Sequence, residues 1–190
     1  MNKFMIEECM KEVPTEMEKD ELYAIINKIK EIIPRSNVFV EVGVKTGGSL
    51  NIWKHLISPN GLLIGIDTGS VETLKINLSE DKRIKYICGN TLYYKTYIDF
   101  LNILNGKEID CLFIDAGHDY SETKSDFYTY GWNVRKGGLI LFHDIYLDNE
   151  NDRGSTKQFW EEIECKNGKF WEIVGRIDLH TGTGIVKKIC

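Results

Sequence analysis

Polar side chains end the apolar runs of this chain. Glu41 lies inside VFVEV, Asp67 follows LLIGI, Asn90 follows IKYICG, Asp115 follows IDCLFI, and His143 and Asp144 follow GGLILF. An unbroken apolar run is how a parallel strand buried on both faces reads, and ligands of open parallel sheets gather outside the C-terminal strand ends. Carboxylates there accept hydrogen bonds from vicinal hydroxyls or hold a cation, and an imidazole moves a proton near neutral pH. Any one such residue reads most simply as a cap or a solvated group. Six on one edge of one sheet read as a binding rim.

The stretch VEVGVKTGGSLNIW, residues 40–53, sits at the centre of this pattern. The run 38–42 breaks into a loop with Gly43, Gly47 and Gly48, and Ser49 then opens a helix. Glycines let the backbone turn sharply and let a ligand approach its amides. The helix start adds unpaired N–H donors and partial positive charge, which suits a polar or anionic part of a nucleotide-like ligand. The spacing is not G-x-G-x-x-G, so the dinucleotide fingerprint is absent.

The elements that must position these residues follow from periodicity. Leu22, Ile25, Ile26, Ile29, Ile32 and Ile33 form a helical stripe over 16–33, stopped by Pro34. Residues 1–12 read as a short helix, a lid or a frayed end. After the glycine loop, Leu50, Trp53, Leu56 and Ile57 predict a helix that Pro59-Asn60-Gly61 ends. A strand then finishes on Asp67, and Ser70 with Glu72 predicts a helix before the strand RIKYICGN.

Tyr97, Leu101 and Leu104 mark the next helix, IDCLFID the fourth strand, 122–130 a helix, and GGLILFHD the fifth strand. YLDNENDRGS reads as a loop near the pocket, Ser155 with Gln158 as a capping box, and Phe159, Trp160 and Ile163 as the face of the helix that follows. FWEIVGRID and TGTGIVKKI predict an antiparallel pair at the end of the sheet. The fold class is α/β, a Rossmann-like doubly wound sheet, mostly parallel, with a helical extension over 1–35 and a core over 38–189.

At 190 residues and 42% hydrophobic, the chain suits a single domain. A net charge of -5 argues against nucleic acid as a partner, since binders of phosphate backbones present a basic face. Five cysteines form no C-x-x-C pair, which predicts a reducing compartment, and the N-terminus resembles neither a signal peptide nor a membrane anchor. The expectation is a cytoplasmic protein without membrane partners.

EVGVKTGGS, GIDTG and FIDAGHDYSETKSDFYTYGWNVRKGGLILFHDI together resemble class I S-adenosylmethionine-dependent methyltransferases, over residues 38–189. The likeness is greatest to small-molecule O-methyltransferases grouped with macrolide-sugar methyltransferases and cephalosporin-hydroxylase-like proteins. It rests chiefly on the D-x-x-H element at Asp115 to His118, followed after a helix by GGLI and an acidic strand end.

The resemblance implies a seven-stranded sheet. It also implies S-adenosyl-L-methionine, with its methionine part at Glu41, Gly43, Gly47, Gly48 and Ser49, its ribose on Asp67, its adenine near Asn90, and Asp115 beside it. It implies His118 as base and a divalent cation such as Mg at Asp115, His143 and Asp144. His143 stands where related enzymes often carry an acid, and an imidazole there shifts the site away from magnesium.

The expected partner is a small-molecule acceptor, with sugar hydroxyls first among them and a homo-oligomer as the form of assembly. Tyr120, Trp132, Tyr146, the helix 16–33 and the loop 146–155 are candidates for the acceptor wall. His143 is a second candidate base, and His55 is not one, because it falls in the first crossover helix. Asp67 would serve a nicotinamide cofactor equally well, so an NAD-dependent oxidoreductase stays an alternative, as does a non-catalytic nucleotide-binding protein on the same fold.

Overall fold

Strands β1 (Ser36–Val42), β2 (Ile57–Asp67), β3 (Ile84–Cys88), β4 (Ile109–Ile114), β5 (Val134–His143), β6 (Trp171–Ile177) and β7 (Thr183–Lys188) form one sheet in the order β3-β2-β1-β4-β5-β7-β6. The structure, a computed structural model, describes residues 1–147, 155–165, 168 and 170–190. β3, β2, β1, β4 and β5 run parallel, whereas β7 pairs antiparallel with both β5 and β6. The expected α/β Rossmann-like sheet with an antiparallel C-terminal pair is what forms. Its strand order reverses between β1 and β4, which opens a crevice at their C-terminal ends.

Helices cover both faces, as a parallel sheet requires. On one face, α1 (Lys3–Glu12), α2 (Lys19–Ile32) and α3 (Gly48–Trp53) cover Phe39, Leu63, Phe113 and Leu141. On the other, α4 (Tyr94–Leu104), α5 (Tyr120–Gly131) and α6 (Thr156–Cys165) cover Val40, Ile64, Leu112 and Phe142. Alternate residues of each strand feed alternate layers, so Phe39 and Glu41 belong to the α1–α3 side while Val38, Val40 and Val42 belong to the other. The stripe expected over 16–33 is α2, with Leu22, Ile25, Ile26 and Ile29 buried.

Residues 1–12 form α1, which packs on α2 and α3. The Asn51 amide ties the two outer pieces together, donating to the Cys9 carbonyl and to Glu12, each at 3.1 Å.

Two expected helices differ. The crossover helix ends at Trp53, well before Pro59-Asn60-Gly61, and those residues lie in β2 beside a register irregularity against β1. All six residues of α3 are buried, because α1 covers the face that the sequence pattern would leave to solvent. His55 consequently lies after α3 rather than in it.

After β2, Ser70 makes no side-chain cap bond, and only a 3-10 turn, Val71–Thr73, forms. The next residues are held by the glycine loop instead. The Lys75 amide donates to the Thr46 carbonyl at 2.8 Å, and Leu74 and Ile76 pack over Gly47. The Ser155 cap does form, its hydroxyl accepting from the Gln158 amide at 3.4 Å. No described helix is long and apolar enough to cross a membrane, and the described cysteines are free thiols.

Candidate active site at the strand ends

A cleft of about 860 Å³ opens at the crevice between β1 and β4. Gly43, Gly48 and Ser49 line its β1 side, Asp67 and Asn90 one end, and Asp115, His118, His143 and Asp144 the other. Pro14 to Met17, between α1 and α2, close it from above. Glu41 and Gly47 are the two expected site residues that do not line it.

Gly43 has φ +87°, and a Cβ there would lie 1.8 Å from the Asp115 carbonyl oxygen. Only a glycine lets the ends of β1 and β4 approach this closely. Gly47, at φ +89°, is buried under Ile76 and serves the turn itself, and Gly48 sits beneath the Pro14 carbonyl.

Asp67 ends β2 and organises the loop. Its Oδ2 accepts from the Val44 and Lys45 amides, each at 2.7 Å, and its Oδ1 from the Gly69 amide at 2.8 Å. Half-burial opposes its charge, but the amides of Gly69, Lys45 and Val44 prevail and hold the carboxyl below its ordinary pKa. Lys45 sits at φ +52°, a strained conformation for a side-chain-bearing residue. Asn90 folds back on its own turn, its Oδ1 accepting from the Leu92 amide at 2.8 Å.

Glu41 is fully buried one layer below the cleft, where the Trp53 indole N–H donates to its Oε1 at 3.1 Å. Its Oε2 finds no partner among the described residues. Burial pushes the carboxyl up to about 8, against the pull of Ser49 and Trp53, so the group is neutral at pH 7.

At the other end Asp144 turns out of β5 at φ +61°, a sparsely populated conformation that aims both carboxylate oxygens inward. Oδ2 lies 3.0 Å from Nδ1 of His118, and Oδ1 lies 3.0 Å from Nδ1 of His143. The Asp144 hydrogen bond raises the His118 pKa above its ordinary value. His118 is the more exposed ring, and its position is set by its carbonyl, which accepts from the Thr156 amide at the start of α6.

His143 is buried, with Nδ1 also 3.3 Å from Asp115 and Nε2 3.2 Å from Glu21. Neither ring nitrogen meets these oxygens in line, so the contacts are charge pairs rather than well-aligned hydrogen bonds. Burial opposes its charge, yet Asp115, Asp144 and Glu21 outweigh it and push the pKa up to about 12. Burial likewise opposes ionisation of Asp144, but His118 and His143 hold it well below the usual carboxylate range.

Glu21, on α2, is the site residue that sequence reasoning missed. It occupies a core position of the helical stripe and is fully buried, and only the tertiary fold brings it to β5. Asp126, on α5, is a second, lining the cleft beside Thr91 while fully buried.

A cation site at Asp115, His143 and Asp144 meets an obstacle in this geometry. An imidazole flanked by carboxylates on both sides carries two N–H donors and offers no lone pair. Asp115, His118 and Asp144 do bring one donor atom each within 4.8 Å of one another. A unit charge against another at 4 Å costs about 4 kcal/mol at an effective dielectric of 20, and a dication beside His143 doubles that. Magnesium demands near-octahedral oxygen ligands, and of the four oxygens of Asp115 and Asp144 three already face an imidazole nitrogen. These residues do not fit a magnesium ion as they stand.

The proposed acceptor wall changes too. None of Tyr120, Trp132 and Tyr146 lines the cleft. Trp132 lies in an apolar groove with Phe127 and Phe170, Tyr120 hydrogen-bonds Glu162, and Tyr146 bonds Asp178. The cleft is bounded at this end by Leu147, His180 and Thr181. Most of the loop expected at 146–155 lies outside the described residues.

A family model described as a methyltransferase domain matches residues 40–145, just over half of the chain. An uncharacterised protein of Acanthamoeba polyphaga mimivirus is 30% identical over 166 residues, covering 75% of this chain and 73% of that protein. Among solved structures, the MycE methyltransferase of the mycinamycin biosynthetic pathway, in complex with Mg, SAH and mycinamycin VI, superposes at TM-score 0.71 and 17% identity. That match covers 97% of this chain and 53% of MycE, so the chain spans about half of MycE's length.

The O-methyltransferase TomG from Streptomyces achromogenes, involved in tomaymycin synthesis and in complex with SAM, gives 0.65 and 14% identity over 99% of this chain and 89% of its own. An O-methyltransferase from Bacillus cereus in complex with SAH gives 0.64 and 15% over 99% and 92%. At these identities the structural likeness is one of fold. With the family match and the strand order in agreement, the chain belongs to the methyltransferase-domain family and has its class I fold.

Proposed function

We propose that this methyltransferase moves a methyl group from S-adenosylmethionine to a hydroxyl of a small molecule, with His118 as the base. The observation that carries the reading is the pairing of His118 Nδ1 with Asp144 on the rim of the cleft that Gly43, Ser49 and Asp67 also line. An imidazole whose Nδ1 lies beside a carboxylate keeps its proton on that nitrogen and leaves Nε2 as the proton acceptor that a general base needs.

The residues of the cleft suit the cofactor. Gly43 lets the ends of β1 and β4 close up at the floor of the cleft, and Gly48 and Ser49 begin α3 beside it. Gly43, Gly48 and Ser49 are the proposed hold on the methionine part, with Glu41 and Gly47 supporting that loop from beneath. Asp67 is the proposed ribose acceptor. Three amides already occupy it, and the Thr68 hydroxyl reaches Oδ1 only at 3.5 Å, the longest of the four bonds and the one a ribose hydroxyl would displace. Asn90 is proposed beside the adenine.

When bound, the cofactor supplies an electrophilic methyl on a cationic sulfonium. Asp115 and Asp144 make the cleft electronegative at that end, which suits such a charge. His118 takes the hydroxyl proton as the oxygen attacks, and Asp144 stabilises the imidazolium that results. Most of the rate comes from holding the hydroxyl in line with the methyl, the task of the segment 14–17 and of Leu147, His180 and Thr181. The O-methyltransferase structures with SAM or SAH support this reading, and the absence of G-x-G-x-x-G stands against a nicotinamide cofactor.

Calorimetry with S-adenosylmethionine and with NAD separates the two cofactors. Binding of NAD alone would overturn the proposal. A panel of small hydroxylated acceptors, sugars among them, assayed with labelled cofactor then tests the transfer itself.

A further inference from the structure

Glu21 gives the site one more carboxylate than the strand ends supply. It belongs to α2, it is fully buried, and its Oε1 accepts from the Thr183 hydroxyl at 3.2 Å while lying 3.2 Å from Nε2 of His143. The opposite nitrogen of the same ring lies 3.0 Å from Asp144 and 3.3 Å from Asp115. Three carboxylates from three separate elements, α2, the end of β4 and the end of β5, thus converge on one buried imidazole. Buried acids held this close repel one another unless a positive charge stands between them.

We infer that the His143 imidazolium, braced by Glu21, is a built-in cation that holds Asp115 and Asp144 in register, so that methyl transfer here proceeds without a divalent metal ion. The inference rests on the transferase reading above. A ring wedged between Glu21 on one side and Asp115 and Asp144 on the other supplies positive charge at the place between the carboxylates where an ion would supply it. The fixed ring also leaves Asp144 Oδ2 aimed at His118, so Glu21 acts on the base through His143 and Asp144 as a positioning residue. This role explains why a buried glutamate interrupts the apolar face of α2 next to Leu22 and Ile25. The helical extension before β1 is thereby part of the site as well as a cover for the sheet.

The experiment uses the full chain, stripped of ions with a chelator. Magnesium and manganese chlorides are titrated by calorimetry, and methyl transfer is assayed with and without each. Wild type is expected to bind either ion more weakly than about 1 mM and to keep its turnover within about twofold.

His143→Asp replaces the cation by an acid. Its melting temperature is expected to rise on adding magnesium, with ion affinity about tenfold or more above wild type. Should that variant not fold without ions, Glu21→Gln with His143→Asp removes one of the crowded acids and is put to the same titration. Wild type binding magnesium in the micromolar range and losing turnover on chelation would overturn the inference. So would a folded His143→Asp, alone or with Glu21→Gln, that gains no affinity for either ion. Failure to bind S-adenosylmethionine, read in the same calorimeter, would sink the transferase reading instead and leave the ion titrations to be judged on their own.

Discussion

A Cβ placed on Gly43 would lie 1.8 Å from the backbone carbonyl oxygen of Asp115, so the two central strands of the sheet meet through a glycine and nothing larger. The contact is with main chain, which no rotamer change relieves, and the φ of +87° is itself unfavourable to a side chain. Gly43→Ala should therefore lower stability by about 2–4 kcal/mol and reduce cofactor binding with it. Chemical denaturation is the check, and a midpoint unchanged from wild type would show that the strand ends can part.

His118→Ala should abolish most turnover while cofactor affinity stays within about twofold, because the proposed base lines the cleft at the end away from Asp67 and Asn90 and is paired with Asp144. Loss of a positioned general base costs about 10²- to 10⁴-fold in rate. Equal turnover in variant and wild type would remove His118 from the mechanism.

Asp126 offers a test by pH. Burial raises its carboxyl to about 7, with Thr91 opposing, and both oxygens lack an in-line partner among the described residues. The folded pKa lies above the unfolded one of 3.8, so the stabilising contribution is fully present below pH 3.8 and is lost as pH rises through 7. At about 1.4 kcal/mol per pH unit the interval carries at most about 4 kcal/mol. Asp126→Asn should flatten the decline in melting temperature between pH 4 and 7 and be the more stable protein at pH 8. Glu41, raised to about 8 by burial, leaves a residual slope of the same sign. A variant tracking wild type at every pH would show Asp126 solvated.

Asp67→Ala removes the acceptor of three amides at once, those of Val44, Lys45 and Gly69. Hydrogen bonds to a charged group contribute about 1.5–3 kcal/mol each and are not additive here. Hydrogen exchange should show lost protection at those three amides, and nucleoside affinity should fall by about tenfold or more. Retained protection with lost affinity would leave Asp67 a ligand contact only.

Much of the fold was legible because alternation and apolar runs are local signals. The parallel strands, the antiparallel pair and the α2 stripe all show in windows of a few residues. The missing helix after Ser70 was not legible, since its segment is held by Thr46 and by packing of Leu74 and Ile76 on Gly47, partners some 28 residues away in the chain. The aromatics show the same limit. Trp132 reads identically whether it faces a ligand or an apolar groove apart from the cleft.

The sequence by itself determined which residues reach the rim, because a strand delivers its last residue to the sheet edge wherever the sheet lies. It thereby named Asp67, Asn90, Asp115, His143 and Asp144 as neighbours, together with Glu41, which does not reach the cleft, whereas His118 ends no strand and was named through the family resemblance. What those residues do to one another was decided only by the tertiary structure. Glu41 sinks beneath the cleft under Trp53, Asp67 is taken up by the glycine loop, and Glu21 crosses from α2 to face His143. Each depends on charge and burial between segments far apart in the chain, and such long-range pairing leaves no period and no spacing for a sequence to display.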